Sequence, residues 1–159
     1  NGRFMRELDL DAYTAAVARH LGRDADERLR AACEIAQEKA QTLEEVWGLI
    51  AFRFEPPVDD PKAWAKVMKP ESGALLEAAA EALRAAEPFD AEAIEAALAP
   101  ILERFDVKPG RLYQPIRVAI TGTSVSPGIF ESLAVLGREA ALERIEAAVG
   151  RLAAAPTDA

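Results

Sequence analysis

Apolar residues recur along this chain at three- and four-residue spacing, the period of a helix that buries one face. Tyr13, Val17 and Leu21 share a face between Asp11 and Leu21, and Gly22 is placed to end that helix. Asp24 is placed to cap the next, whose stripe is Leu29, Ala32, Cys33, Ala36 and Ala40. Thr42 followed by Glu45 reads as a capping box ahead of Leu43, Val46, Trp47 and Ile50, and Pro56-Pro57 stops this helix. Asp60-Pro61 opens a short helix with Trp64 and Val67 that ends near Lys69-Pro70. Leu75, Leu76, Ala79, Leu83 and Ala86 line an Ala-rich helix over residues 71–86. Asp90 caps another, with Ile94, Ala97, Leu98, Ile101 and Leu102. Pro109 starts a helix from Gly110 to Thr121 that Gly122 closes, and Pro115 inside it should kink it or loosen its first turn. Ser126-Pro127 opens one more, and after Gly137 a last helix runs from Arg138 to Leu152. The best strand signal is RVAIT at 117–121, but its flanks favour helix. The pattern predicts an all-α fold of roughly nine helices in two packed groups. The first spans residues 1–69 and the second 70–153, with 154–159 a disordered tail.

Composition narrows the class. Half of the 159 residues are apolar and 29% are charged, which excludes a wholly disordered chain. No apolar run reaches the ~18 residues that span a bilayer, and NGRFMRELDLD has no apolar core of a secretory signal. Without an initiator Met at residue 1, the chain reads as a piece of a longer protein. A single cysteine, Cys33, fits a reducing, cytoplasmic setting. The net charge of −8 argues against indiscriminate nucleic-acid binding, but the charge is unevenly spread. Residues 71–106 carry 2 basic and 9 acidic groups, whereas 107–130 carry Lys108, Arg111 and Arg117 and no acid. An acid-free basic stretch inside an acidic chain is a candidate anion-binding face.

Most chemistry-bearing residues have bland readings. His20, the only histidine, sits near a helix C-terminus, where the dipole favours it. Cys33 lies on an apolar stripe and reads as a buried, inert thiol. One His and one Cys build neither a zinc site nor a Ser-His-Asp triad. Glu77, Glu81, Asp90, Glu92 and Glu95 fall at solvent-face spacing. Neither G-x-x-x-x-G-K-[ST] nor G-x-G-x-x-G occurs, so no ordinary nucleotide cradle is present. Trp47, Phe52, Phe54 and Trp64 could stack on bases but fit inter-helix wedges better. The segment 108–130, KPGRLYQPIRVAITGTSVSPGIF, is different. It gathers proline-led helix starts, a Gly stop, hydroxyls and three cations. Ser126 is placed to cap a helix whose free N–H groups face an anion or a base edge. Arg117 offers a bidentate fork and Gln114 both a donor and an acceptor.

Lys108, Gly110, Gln114-Pro115-Ile116-Arg117, Ala119 and Thr121-Gly122 are followed by Ser126-Pro127-Gly128, Phe130-Glu131, Leu133, Leu136-Gly137 and Glu139. This run resembles the C-terminal, anticodon-binding region of bacterial glutamyl-tRNA synthetases, with Ile116 in place of the usual Leu. NGRFMREL at the N-terminus is similar to that family's N-G-x-Y-I-R segment, while residues 20–105 match mainly in helical pattern. The resemblance implies two all-α subdomains that form a cage around the anticodon loop. It implies a class I parent whose Rossmann core, with ATP and Mg as its cofactors, lies outside this segment. His20-Leu21-Gly22 lacks the second histidine of the family's catalytic signature, and Lys66-Val67-Met68-Lys69 lacks the serine of the other. No catalytic residue and no cofactor site are therefore expected here.

The resemblance also implies roles for single residues. Arg117 matches an arginine that contacts anticodon bases, and Ser126 matches a Thr or Ser at the same site. Gln114, Thr121 and Lys108 belong to the same segment as candidate tRNA contacts. Lys39, in a helix ahead of Thr42-Leu43, matches the residue that inspects the third anticodon base. Enzymes that charge only the glutamate tRNA have arginine there. Lysine keeps the charge but loses the fork, which leaves discrimination against the glutamine tRNA open. The expected partners are the glutamate tRNA, the glutamine tRNA as a second possibility, and the catalytic domain of the parent. The chain is expected to be monomeric. The rival reading is a stand-alone helical adaptor that binds protein through the acidic surface of residues 71–106. A small independent hydrolase has almost nothing in its favour.

Overall fold

A computed structural model describes residues 2–154, with side chains from Met5 onward. Among the described residues there are ten helices and no strand. The first group comprises α1 (Gly2–Glu7), α2 (Leu10–Leu21), α3 (Glu27–Ala36) and α4 (Leu43–Phe54). Then come α5 (Pro61–Val67), α6 (Ser72–Ala85), α7 (Ala91–Phe105), α8 (Pro109–Thr121), α9 (Ile129–Leu136) and α10 (Arg138–Ala154). The all-α expectation holds, and the RVAIT stretch lies within α8. None of these helices is long and apolar enough to cross a membrane. Ala154 closes α10, so residues 155–159 of the expected tail lie outside the described residues.

The caps explain most of the boundaries. Asp60 and Asp90 each accept a backbone N–H three residues on, which satisfies a donor that has no intrahelical partner. Thr42 Oγ1 accepts from Glu45 N–H at 3.2 Å, while the Glu45 carboxylate reaches back to Gln41 N–H at 2.8 Å. The cap of α3 is Asp26, which accepts from Leu29 N–H at 2.9 Å, and not Asp24. Helix α3 also ends at Ala36, earlier than its apolar stripe suggests. The Gln37 side chain there donates to the Met5 and Leu8 carbonyls at 3.0 and 2.8 Å, drawing the chain toward α1 and its exit.

Buried apolar side chains form two clusters. One runs from Met5 to Ile50 and fills the space between α2, α3 and α4. The other begins at Phe52 and takes in α5 through α10. Helix α5 thus packs with the second group, against α8. The clusters meet where α3 and α4 pack on α9, with Val135 of α9 against the first cluster and Ile35 of α3 against the second. Cys33 is fully buried beside Tyr13, and burial pushes its thiol up to about 11.

Candidate nucleic-acid interface

Helix α8 carries Gln114, Arg117 and Thr121 at three- and four-residue spacing, which puts them on one stripe. Pro109 at the first turn lacks an N–H that would have no intrahelical partner anyway. Pro115 is accommodated within the helix and is itself buried. Gly122 ends α8 in the left-handed conformation, φ +84°. A Cβ there would overlap the backbone of Val58, whose N–H donates to the Thr121 carbonyl at 3.1 Å. The strap after α4 is therefore seated on the end of α8.

The loop from Thr121 to Ser126 is held by its own hydroxyls. Thr121 Oγ1 donates to the Arg117 carbonyl at 2.8 Å and accepts from Thr123 N–H at 3.2 Å. Thr123 Oγ1 accepts from Val125 N–H at 2.8 Å. Ser126 Oγ accepts from Arg117 Nε at 2.8 Å and donates to the Pro127 carbonyl at 2.8 Å. The expectation that Ser126 caps α9 is not met, since that helix starts at Ile129 with Gly128 as its cap residue. The hydroxyl is instead committed to Arg117 and Pro127, and the prolyl and glycyl residues that follow keep the chain extended before the helix begins.

The Arg117 guanidinium is half-buried, and desolvation lowers its pKa from the usual arginine value. Ser126 is its side-chain partner among the described residues, and no carboxylate pairs with it there. That bond uses Nε alone, so both Nη groups stay without a partner among the described residues. Three residues back, Gln114 Oε1 is buried and accepts no hydrogen bond from the described residues. The other cations of the acid-free stretch differ. Arg111 pairs with Glu71 at 2.5 Å, and Lys108 is exposed at the cap position of α8. Nine residues of helix separate Lys108 from Arg117, about 13 Å of rise and half a revolution, so the two do not share a face. Thr121 is buried, with its hydroxyl engaged inside the loop.

Lys39 is exposed, in the turn between α3 and α4 and not on a helix as expected. The early end of α3 leaves it there. The aromatic rings weighed as stacking platforms already have faces covered. Arg23 stands 4.8 Å from the centroids of both Trp47 and Phe54, and Arg151 stands 3.7 Å from that of Trp64. Phe52 is buried. Glu77, Glu81, Asp90, Glu92 and Glu95 are exposed, as a solvated face requires. His20 is exposed in the last turn of α2. Among the described residues no group of three His, Cys, Asp or Glu is placed to hold a metal ion.

Sequence reasoning missed two features near this surface. One is Arg144 of α10, which donates to three backbone carbonyls at the ends of α4 and α8. The other is the close approach of Val58 to Gly122. Gly122 signalled the second only as a helix stop, and nothing local distinguishes Arg144 from other helix-surface arginines.

Comparison with known proteins is consistent with this layout. A family model described as the anticodon binding domain matches residues 11–149. The glutamate–tRNA ligase of Mycobacterium bovis BCG is 38% identical over 156 residues, covering 93% of this chain and 32% of that protein. That of Mycolicibacterium vanbaalenii is 40% identical over 164 residues, covering 98% and 33%. The chain thus spans about a third of the length of these relatives. The crystal structure of a glutamate tRNA ligase from Elizabethkingia meningosepticum shares the fold, with a TM-score of 0.82 at 22% identity over 96% of this chain and 31% of that one. A relative identical at 38% over nearly the whole chain, together with a family match that takes in both helical clusters, shows that this chain belongs to the anticodon binding domain family and matches that part of glutamate–tRNA ligases.

Proposed function

We propose that this chain reads the anticodon loop of the glutamate tRNA for a glutamate–tRNA ligase, whose catalytic domain attaches glutamate with ATP and Mg in the cytoplasm. The observation that carries the reading is the Arg117 guanidinium, half-desolvated, anchored through Nε to a neutral hydroxyl, and open at both Nη groups. An anchored planar fork with four free donors matches two acceptors on one base edge. A base unstacked from its neighbours exposes that edge, which is how single-stranded RNA is usually read. Ser126 orients the fork, Thr121 and Thr123 shape the loop behind it, and Gln114 stands on the same stripe with its Oε1 buried and unpartnered among the described residues. Lys39 and Lys108, both exposed, are suited to the third anticodon base and to phosphate respectively.

Arg117→Ala should weaken tRNA binding by about 1–3 kcal/mol, the scale of a bidentate base contact. The loss should depend on the anticodon, because a phosphate contact would weaken all tRNAs alike. Affinities for anticodon variants, measured beside the thermal stability of the mutant, separate the two. A lower melting temperature with equal losses for every tRNA would make Arg117 a structural tie between α8 and the following loop. The adaptor reading retains one supporting observation, the exposed acidic side chains of α6 and α7. It predicts no anticodon dependence at all.

A further inference from the structure

Arg144 is half-buried on α10, and desolvation lowers its pKa, with Arg53 adding to the effect and Glu143 opposing it. No ion pair ties its guanidinium to a carboxylate among the described residues. Its partners are backbone carbonyls. Nη1 donates to Phe52 at 2.8 Å and to Ile120 at 2.6 Å, and Nη2 donates to Glu55 at 3.0 Å. Phe52 lies in the last turn of α4, Glu55 is that helix's C-cap residue, and Ile120 lies in the last turn of α8. Carbonyls in a last turn have no intrahelical donor and carry the negative end of the helix dipole. One cation therefore serves the C-termini of two helices from different halves of the chain. Beside it, Val58 N–H bonds to the Thr121 carbonyl, and Gly122 leaves room for the Val58 backbone.

Both joined helices lead to candidate recognition residues. Helix α4 has 12 residues, a rod about 18 Å long, and its far end follows the turn that holds Lys39. Helix α8 holds Arg117 one turn before its pinned end and runs on into the loop of Ser126. We propose that Arg144 is a positioning residue, a latch on three carbonyls that fixes the Lys39 turn relative to the Arg117–Ser126 pair so that both engage one RNA loop. This rests on the anticodon-loop reading. A planar fork suits the task because its donors diverge toward carbonyls on two helices, where an ammonium is a single point of charge.

The test uses Arg144→Gln and Arg144→Lys in the whole chain, with two readouts. The first is amide hydrogen exchange. In Arg144→Gln, Val58 N–H should exchange roughly tenfold faster, while the amides of the buried α6 residues Leu76 and Leu83 hold their protection, as local opening requires. The second is binding of a glutamate tRNA anticodon stem-loop and of the same stem-loop with its anticodon replaced. Arg144→Gln should lose about tenfold on the first RNA and little on the second, and Arg144→Lys should recover part of the loss. Equal losses on both RNAs, or unchanged Val58 exchange, would overturn the latch. So would a wild-type anticodon preference that survives intact in Arg144→Gln, and that result would leave the anticodon-loop reading standing. A wild-type chain with no preference between the two RNAs would overturn that reading and the latch's role with it.

Discussion

A guanidinium carries five N–H donors, and Arg111, Arg117 and Arg144 find partners for them in three different ways. Arg111 takes a carboxylate, Glu71, at an exposed site where an ion pair contributes little. Arg144 takes three carbonyls. Arg117 takes one hydroxyl and leaves its fork open. Only the last leaves donors open to a ligand, and the absence of acids from residues 107–130 leaves it no local carboxylate as partner. Gln114 adds a test on the same stripe. Its buried Oε1 has no donor, a situation that costs about 1–3 kcal/mol when the group stays dry. Gln114→Met keeps the shape and removes the acceptor, so the melting temperature should stay level or rise by a few degrees. If RNA binding uncovers that oxygen and a base donates to it, affinity should fall by roughly fivefold in the variant, the scale of a single hydrogen bond. Lower stability with undiminished affinity would mark Gln114 as a packing residue.

At the scale of the element, α8 is defined by how it stops. Gly22 and Gly122 both close helices in the left-handed region, with φ of +67° and +84°. A Cβ on Gly22 meets nothing within 4 Å, whereas one on Gly122 overlaps Val58. Gly22→Ala should therefore lose about 1–2 kcal/mol, the conformational penalty alone. Gly122→Ala should lose at least about 1 kcal/mol more, because the strap must also lift from α8. Chemical denaturation of the two variants checks the difference, and equal losses would mean that the strap yields freely. The sequence carried the helices well because their signals are local: Asp60, Asp90, Thr42 and Gly122 cap or stop the elements where the pattern places them. It carried less where partners come from afar. Helix α3 ends early because Gln37 bonds to carbonyls near α1, and this moved Lys39 off the expected helix. Asp24 and Asp26 are equivalent by type, and the spacing to Leu29 decides between them only once the helix is in place. Ser126-Pro127 has the composition of a helix start, but Arg117 on the neighbouring helix claims the hydroxyl.

Helices α6 and α7 carry a run of exposed acids and α8 the open guanidinium of Arg117, all three packed on the larger apolar cluster, while a smaller cluster lies among the first helices. The smaller cluster contains Tyr13 and Cys33, each with no exposed surface. Burial, with the neighbouring thiol acting in the same sense, pushes the Tyr13 phenol from 10.0 up to about 12. Burial likewise pushes Cys33 from 9.0 up to about 11. Both groups are neutral when protonated, so the native state holds its protons to higher pH than the unfolded chain does. Their contribution is fully present below about pH 9 and is lost as pH rises toward 12. Unfolding free energy, followed by the fluorescence of Trp47, should therefore fall steeply between pH 9 and 11. Tyr13→Phe separates this from general alkaline repulsion in a chain of net charge −8. The Tyr13 hydroxyl is buried and has no hydrogen-bond partner among the described residues, so its removal should leave stability at pH 8 level or slightly higher. It should also flatten the alkaline slope above pH 10, where the phenol of the unfolded chain begins to ionise. A variant with the wild-type slope would show that the first cluster opens to water before Tyr13 titrates.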